Sequence, residues 1–345
     1  MIEYLENEKQ LKGYSFIDLF CGIGGFHLAL SSFGAKCVFA SDIDKEACKV
    51  YEANFGIKPY GDITKIAEDK IPKHDILCAG FPCQPFSISG NQQGFKDEQG
   101  RGKLFFDIVR IAKYHKPKVL LLENVKNFEK HDSGKTIRRV AKELNDIGYK
   151  VFSKVLCASD FEVPQQRKRI YIVAFRDDLN IDTFVFPKGH NQFKVLKDIL
   201  ITKAENKIKG NYYIHRNYTI KSEPKQKENK LIRIGAIGLG RQGERIYSIY
   251  GQATTLSSQG GGLGGKTGMY LIRKKVRKLF PRECARLMGF PDWFKLADTQ
   301  EKNYKQFGNS VVVDVIQLIV KNIIQQLLNS SIDLKPEITG GRKDG

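Results

Sequence analysis

Between residues 14 and 180, apolar runs alternate with helical patterns, and this alternation limits the fold more than any other feature of the chain. "YSFIDLF" (14–20) is strand-like, and "GGFHLALSSFG" (24–34) is helical with Gly34 as its stop. "AKCVFASDI" is a second strand and "DKEACKVYEANFG" a helix closing on Gly56. "HDILCAG" and "KVLLLENV" are further strands, separated by the helical "LFFDIVRIAKYHKP", which Pro117 ends. "GKTIRRVAKELNDIGY" is helical, and "RIYIVAF" is a late strand. Repeated strand–helix units predict an α/β fold of the Rossmann-like kind, a mostly parallel sheet with helices on both faces. Ligands of such sheets sit beyond the carboxyl ends of the strands.

After about residue 188 the character changes. The window 188–280 holds 20 Lys and Arg against 5 Asp and Glu, a balance of +15 within a total of +19. "IGAIGLGRQGERIYS" and "SSQGGGLGGKTG" are rich in glycine. This predicts a smaller unit of short strands and loops over 189–280, and its one-signed charge fits a polyanion such as nucleic acid. Residues 281–307 are expected to form a return segment opened by the helical "FPRECARLMGFP". "GNSVVVDVIQLIVKNIIQQLL" (308–328) is expected to be one amphipathic helix within a unit 308–330 that completes the first one, 1–188. The polar tail 331–345 is expected to fray.

Several classes are disfavoured. No run approaches the length of a membrane span, and the polar start "MIEYLENEKQ" does not read as a signal peptide. The seven cysteines are scattered with no CxxC pair, so neither a disulfide framework nor a metal site is expected, and a reducing cytoplasm is the simplest home.

Four places carry chemistry. "DLFCGIGG" (18–25) is a glycine turn between the first strand and first helix, with His27 where a dinucleotide fingerprint needs its third glycine. Asp42 stands 20 residues beyond Gly22, where such folds hold ribose hydroxyls, and Asp62 follows the second helix. A nucleoside-bearing ligand without a pyrophosphate fits, and S-adenosylmethionine is one. "GFPCQPFS" (80–87) places Cys83 after a strand, on a segment stiffened by Pro82 and Pro85. A buried free thiol is the ordinary fate of such a residue. Glu123 ends an apolar strand on the same rim, however, and Arg167 and Arg169 share one face of the extended run "VPQQRKRIY".

"DLFCGIGG", "GFPCQPFS", "ENV", "QQRKR" and "GNSV" stand in the order found in the DNA (cytosine-5) methyltransferases, and the chain resembles that family, of the bacterial restriction-modification type, over about 12–325. The resemblance implies a two-lobed, monomeric, cytoplasmic enzyme. It would move a methyl group from S-adenosylmethionine, leaving S-adenosylhomocysteine, to C5 of a cytosine flipped out of double-stranded DNA, and shield host DNA from a cognate endonuclease. It implies Cys83 as nucleophile, with Glu123 on the base and Arg167 and Arg169 in support. The cofactor would lie among Phe20, Gly22, Gly24, Gly25, Asp42, Ile43, Asp62, Ile63, Pro82, Leu104 and Asn309. Ser87, Ser89, Gln242, Arg245, Gln259 and Gly260 would meet DNA, and the loop 84–99 would close over the flipped base. No metal is implied. The target would be GCGC or a related site such as GCNGC. Gln259 stands where a similar member of that family has an aromatic residue, Leu239 and Arg241 differ from that member, and "QGRGK" is an insertion in the closing loop. The alternatives weighed are an RNA cytosine-5 methyltransferase of the same fold, a nicotinamide-dependent Rossmann enzyme and a non-enzymatic DNA-binding relative.

Overall fold

The computed structural model describes residues 10–82, 104–201, 210–224 and 226–330. The apolar–helical alternation becomes β1 (Ser15–Leu19), α1 (Gly25–Ser31), β2 (Lys36–Ser41), α2 (Lys45–Phe55), β3 (Ile76–Gly80), α3 (Leu104–His115) and β4 (Val119–Val125). The short α4 (Asn127–Lys130), α5 (Lys135–Asn145), β5 (Tyr149–Cys157) and β6 (Lys168–Arg176) follow. The sheet order is β2-β1-β3-β4-β6-β5. Period-two alternation sorts its side chains. Ile17, Leu77, Leu120 and Ile172 pack with Phe105, Ile108, Val140 and Leu144 of α3 and α5 on one face. Phe16, Cys78, Leu121 and Val173 pack on the other. Each fully buried aliphatic or aromatic side chain contributes about 1.5–3 kcal/mol.

The sheet is mixed. β1–β2, β1–β3 and β3–β4 are parallel, but β6 runs antiparallel to β4 and β5. The alternation reading does not include β5, and the reason is visible in "YKVFSKVLC". It is an edge strand, half exposed, in which Lys150, Ser153 and Lys154 interrupt the apolar run without period-two order. Its link to β6, residues 158–167, contains one 3₁₀ turn and no crossover helix, so the return is antiparallel.

A second sheet has the order β11-β10-β9-β8-β7, built of β7 (Tyr218–Ile220), β8 (Arg233–Ile237), β9 (Arg245–Ser248), β10 (Met269–Ile272) and β11 (Lys275–Arg277). It has its own small core of Ile234, Ile237, Ile246, Met269 and Val276. The chain leaves it through α6 (Pro281–Leu287), opened by a proline at its start. There Glu283 and Arg277 form a fully buried pair, with contacts of 2.7 and 2.8 Å. Glu283 also accepts from the backbone of Ile201 and Phe280, which satisfies the buried carboxylate.

The expected single helix over 308–328 is two helices, α7 (Gln300–Asn309) and α8 (Val313–Asn329), divided at 310–312. By length and composition the stretch Gln300–Asn329 passes for a membrane span, contrary to the sequence reading. In the fold, Val315, Ile316, Ile319, Val320 and Ile323 of α8 are buried in the core of the first sheet, beside α1.

Candidate active site

A cleft of about 1560 Å³ opens between the carboxyl ends of β1–β4 and the second sheet. One end is acidic and apolar. Phe20 follows β1 in the left-handed region at φ 55, a conformation that costs a non-glycine residue about 1–2 kcal/mol. The turn then passes through Gly22, also left-handed at φ 54. Asp42 locks this turn: one of its oxygens accepts from the Gly22 backbone N–H at 2.8 Å, the other from Asp44 at 2.7 Å. Burial raises the Asp42 carboxyl above its ordinary range, and these two bonds pull it back. A carboxylate has about four acceptor sites, so Asp42 keeps lone pairs for hydroxyls. Ile43 beside it is 76% exposed. Asp62 accepts from the backbone and hydroxyl of Thr64, and the hydroxyl bond first of all holds its carboxyl below the usual range. Ile63 and Leu104 also line this end. An aromatic and an aliphatic side chain with two acceptors beyond strand ends suit a nucleoside.

Gly24 and Gly25, although part of the same motif, do not line the cleft. A Cβ on Gly24 would meet the Phe55 ring at 2.2 Å, and one on Gly25 would meet Val311 at 2.6 Å. Packing of α1 on α2 and on the stretch before α8 accounts for both.

The other end is where β3 and β4 terminate. Gly80 is in register with Glu123, and the next residues, Phe81 and Pro82, line the cleft. Asn124 donates to the Phe81 carbonyl at 3.3 Å, tying the exit of β3 to the end of β4. Glu123 is 8% exposed and paired to Arg169, Nε to Oε1 at 3.1 Å. Burial raises the Glu123 carboxyl above its usual range, against the opposing charges of Arg169 and Arg167. A buried carboxyl that retains its proton can donate to a ring nitrogen and accept from an amino group. Arg167 is 2% exposed and donates to three backbone carbonyls, of Leu256, Gly308 and Ser310.

The facing wall comes from the second sheet and its loops. Gln242, Arg245, Gln259 and Gly260 all line it. Leu239, 84% exposed, sits between Gly238 and Gly240, both left-handed. The glycine-rich connection between β9 and β10 is close-packed: Gly264 donates to Gly243 at 2.9 Å, and a Cβ on Gly260 would meet the Gly265 carbonyl oxygen at 1.7 Å.

The fold thus gathers Phe20, Gly22, Asp42, Ile43, Asp62, Ile63, Pro82, Leu104, Glu123, Arg167, Arg169 and Asn309 around one cleft with Gln242, Arg245, Gln259 and Gly260. Cys83, Ser87, Ser89, the loop 84–99 and the "QGRGK" insertion lie outside the described residues. Sequence reasoning assigned no part to Asn124 or Gln165. Asn124 is 1% and Gln165 0% exposed, and Gln165 bonds Leu256 and Leu287. Their signal was a carboxamide inside or beside an apolar run, since a buried amide needs partners.

Residues 14–325 match the family described as C-5 cytosine-specific DNA methylase. The chain is 52% identical to the Type II methyltransferase M.HhaI of Haemophilus parahaemolyticus, covering 95% of this chain and 98% of that protein. It is 41% identical to M.DsaV of Dactylococcopsis salina, covering 97% and 94%. It is 40% identical to M.HpaII of Haemophilus parainfluenzae, covering 95% and 94%. Among solved structures, the Dnmt2 methyltransferase of S. pombe superposes with a TM-score of 0.66 at 22% identity over 92% of this chain and 99% of that one, a likeness of fold.

Proposed function

Because this chain belongs to the C-5 cytosine-specific DNA methylase family, we propose that it methylates cytosine C5 within a short specific duplex sequence, through a covalent bond from Cys83 to a cytosine swung out of the helix. The supporting observation is the pairing of strand ends. Gly80 stands opposite Glu123, so only Phe81 and Pro82 lie between the carboxylate's register position and Cys83. Cytosine C5 is a poor nucleophile. Addition of the Cys83 thiolate at C6 makes the ring an enamine, and C5 becomes nucleophilic. Glu123, carrying its proton, donates to N3 and accepts from the 4-amino group, so charge that develops on the ring is met by a preset partner. Arg169 holds Glu123 in place. The ring of a paired cytosine is buried in the stack, so the reaction requires its extrusion.

S-adenosylmethionine, the family's cofactor, supplies an electrophilic methyl group. We assign its adenosine to the acidic end, where Phe20 and Ile43 would flank the base and Asp62 and Asp42 would offer acceptors to the amino group and the ribose hydroxyls. Replacing Asp42 by alanine removes a charged acceptor worth ~1.5–3 kcal/mol. S-adenosylhomocysteine is therefore expected to bind more weakly by about tenfold or more, read by calorimetry, with part of the loss arising from release of the Gly22 turn. An unchanged affinity removes Asp42 from the assignment.

The second sheet and its loops read the DNA. We take the domain limits as 1–188 for catalysis, 189–280 for target recognition and 281–307 for the return, with 308–330 rejoining the catalytic unit. GCGC or a GC-flanked relative such as GCNGC is the proposed target, with Gln259 able to read a base edge. The enzyme acts as a monomer on bacterial cytoplasmic DNA and protects it from a cognate nuclease. Bisulfite sequencing of DNA from cells expressing the protein tests the target directly. Methylation scattered without a common sequence, or none, overturns the reading.

DNA affinity is expected to fall steeply with salt, because each neutralised phosphate adds about −0.9 to the log–log slope. Arg241 is exposed beside Gln242, and Arg241→Gln is expected to flatten the slope by about that amount. A shallow slope in the wild type detaches the basic unit from DNA.

A further inference from the structure

We infer that Arg167 is a positioning residue that couples the cofactor side of the cleft to the segment that meets DNA. This deepens the proposed function and rests on it. The guanidinium gathers carbonyls from two distant stretches of chain. It donates to Leu256 at 3.0 Å, to Gly308 at 3.1 Å and to Ser310 at 2.7 Å. Leu256 opens the stretch 256–260 along the DNA wall, on the connection between β9 and β10. Gly308 and Ser310 bracket Asn309, which lines the cleft at the end of α7, a helix tied to the acidic end by Lys305, which pairs with Asp44, and by Gln306, which donates to the Glu46 carbonyl. A planar fork of five donors can hold several carbonyls at fixed angles, whereas an ammonium holds them as a point charge.

A second observation places the same two segments in direct contact. A Cβ on Gly308 would lie 2.3 Å from the Ser258 nitrogen and 2.5 Å from the Ser257 carbonyl carbon. The two backbones touch with no side chain between them, so a displacement of one cannot be absorbed before it reaches the other. The stretch that carries Arg167 is itself stitched to the DNA wall. Ala253 donates to Pro164 at 2.7 Å, Gln166 to Ala253 at 3.0 Å and Leu256 to Gln165 at 3.1 Å. Two residues further on, Arg169 reaches Glu123 instead. The two arginines divide the work: Arg169 addresses the carboxyl that meets the base, and Arg167 the joint between ligands.

Backbone hydrogen exchange on the full chain, with and without S-adenosylhomocysteine, tests this without DNA. In the wild type, bound S-adenosylhomocysteine is expected to slow exchange at amides 256–260 several-fold. Arg167→Lys keeps the charge and loses the fork. Gly308→Ala keeps Arg167 and wedges the joint apart. Each is expected to bind S-adenosylhomocysteine within about fivefold of wild type and to lose most of the added protection. Arg169→Lys is expected to keep it. Equal protection in all four proteins overturns the inference, as does no protection in the wild type. Loss of S-adenosylhomocysteine binding in both joint variants also overturns it, because Arg167 is then a support for the fold. A protein that methylates no cytosine in duplex DNA fails the proposed function, and the exchange readout stands apart from that result.

Discussion

A duplex carrying 5-fluorocytosine at the target is expected to trap the wild-type protein in an adduct that survives denaturing electrophoresis, only when the methyl donor is present, and Cys83→Ser is expected to form none. In the proposed reaction the thiolate adds at C6 and C5 takes the methyl group. Normally a base then removes the C5 proton, the C5–C6 double bond re-forms and the thiolate leaves. Fluorine cannot depart as a cation, so elimination stops and the C6–S bond persists. Serine fails because its hydroxyl is far less ionised than a thiol near neutral pH. The other cysteines make the test selective. Cys78 is 0% exposed within β3, and burial pushes its thiol well above the ordinary range. Cys284 is buried in α6 with the same consequence, and Cys48 is pushed up to about 11, chiefly by burial. Cys78→Ala is therefore expected to trap like wild type, and so is Cys157→Ala, whose buried sulfur faces the Ser159 hydroxyl. A denaturation-stable adduct in Cys83→Ser, or none in the wild type on DNA that it methylates, refutes the assignment.

Glu123→Gln is expected to lower the single-turnover methylation rate by about 10²–10⁴-fold, the usual range for a positioned acid. Glutamine keeps the shape and can still bond N3, but it has no proton to transfer. The pH profile gives the sharper readout. Burial raises the Glu123 carboxyl, so the protonated form persists above the usual carboxyl range and the rate falls as pH rises through that value. Arg169 opposes the rise by charge and by its bond to Glu123. Arg169→Gln removes that pull, so the falling limb is expected to move to higher pH while the maximum rate drops. A limb that stays in place, or moves down, disconnects Glu123 from the alkaline loss of rate.

Excising 189–280 is a poor way to isolate the catalytic unit. Arg277 pairs with Glu283 across that boundary, and removing one partner of a buried pair costs about 3–5 kcal/mol. The cut also strips the partners of Pro164, Gln165 and Gln166. Single neutral substitutions such as Arg241→Gln leave these bonds in place.

Much of the catalytic unit was legible because its signals are local. β1 through β4 are apolar runs set off by glycine and proline, and helix α2 ends where Gly56 predicts, while α1 stops at Ser31, three residues short of Gly34. The cleft's acids and glycines stand at strand ends, which topology alone turns toward one rim. β5 escaped because Lys150, Ser153 and Lys154 of this half-exposed edge strand break the apolar run without leaving a period-two pattern, and the sheet's antiparallel end followed from it. The break at 310–312 escaped because Val311, Val312, Val315 and Ile316 keep an apolar helical spacing across it. Residues and their order determined the strand–helix plan, the chemistry of the rim and the charge of the smaller unit. Only the tertiary structure decided that Asp42 fastens the glycine turn, that Gly24 and Gly25 serve packing and that Arg167 joins two distant segments. Those partners are backbone amides and carbonyls, which every residue carries alike, so no pattern of side chains shows which of them will meet.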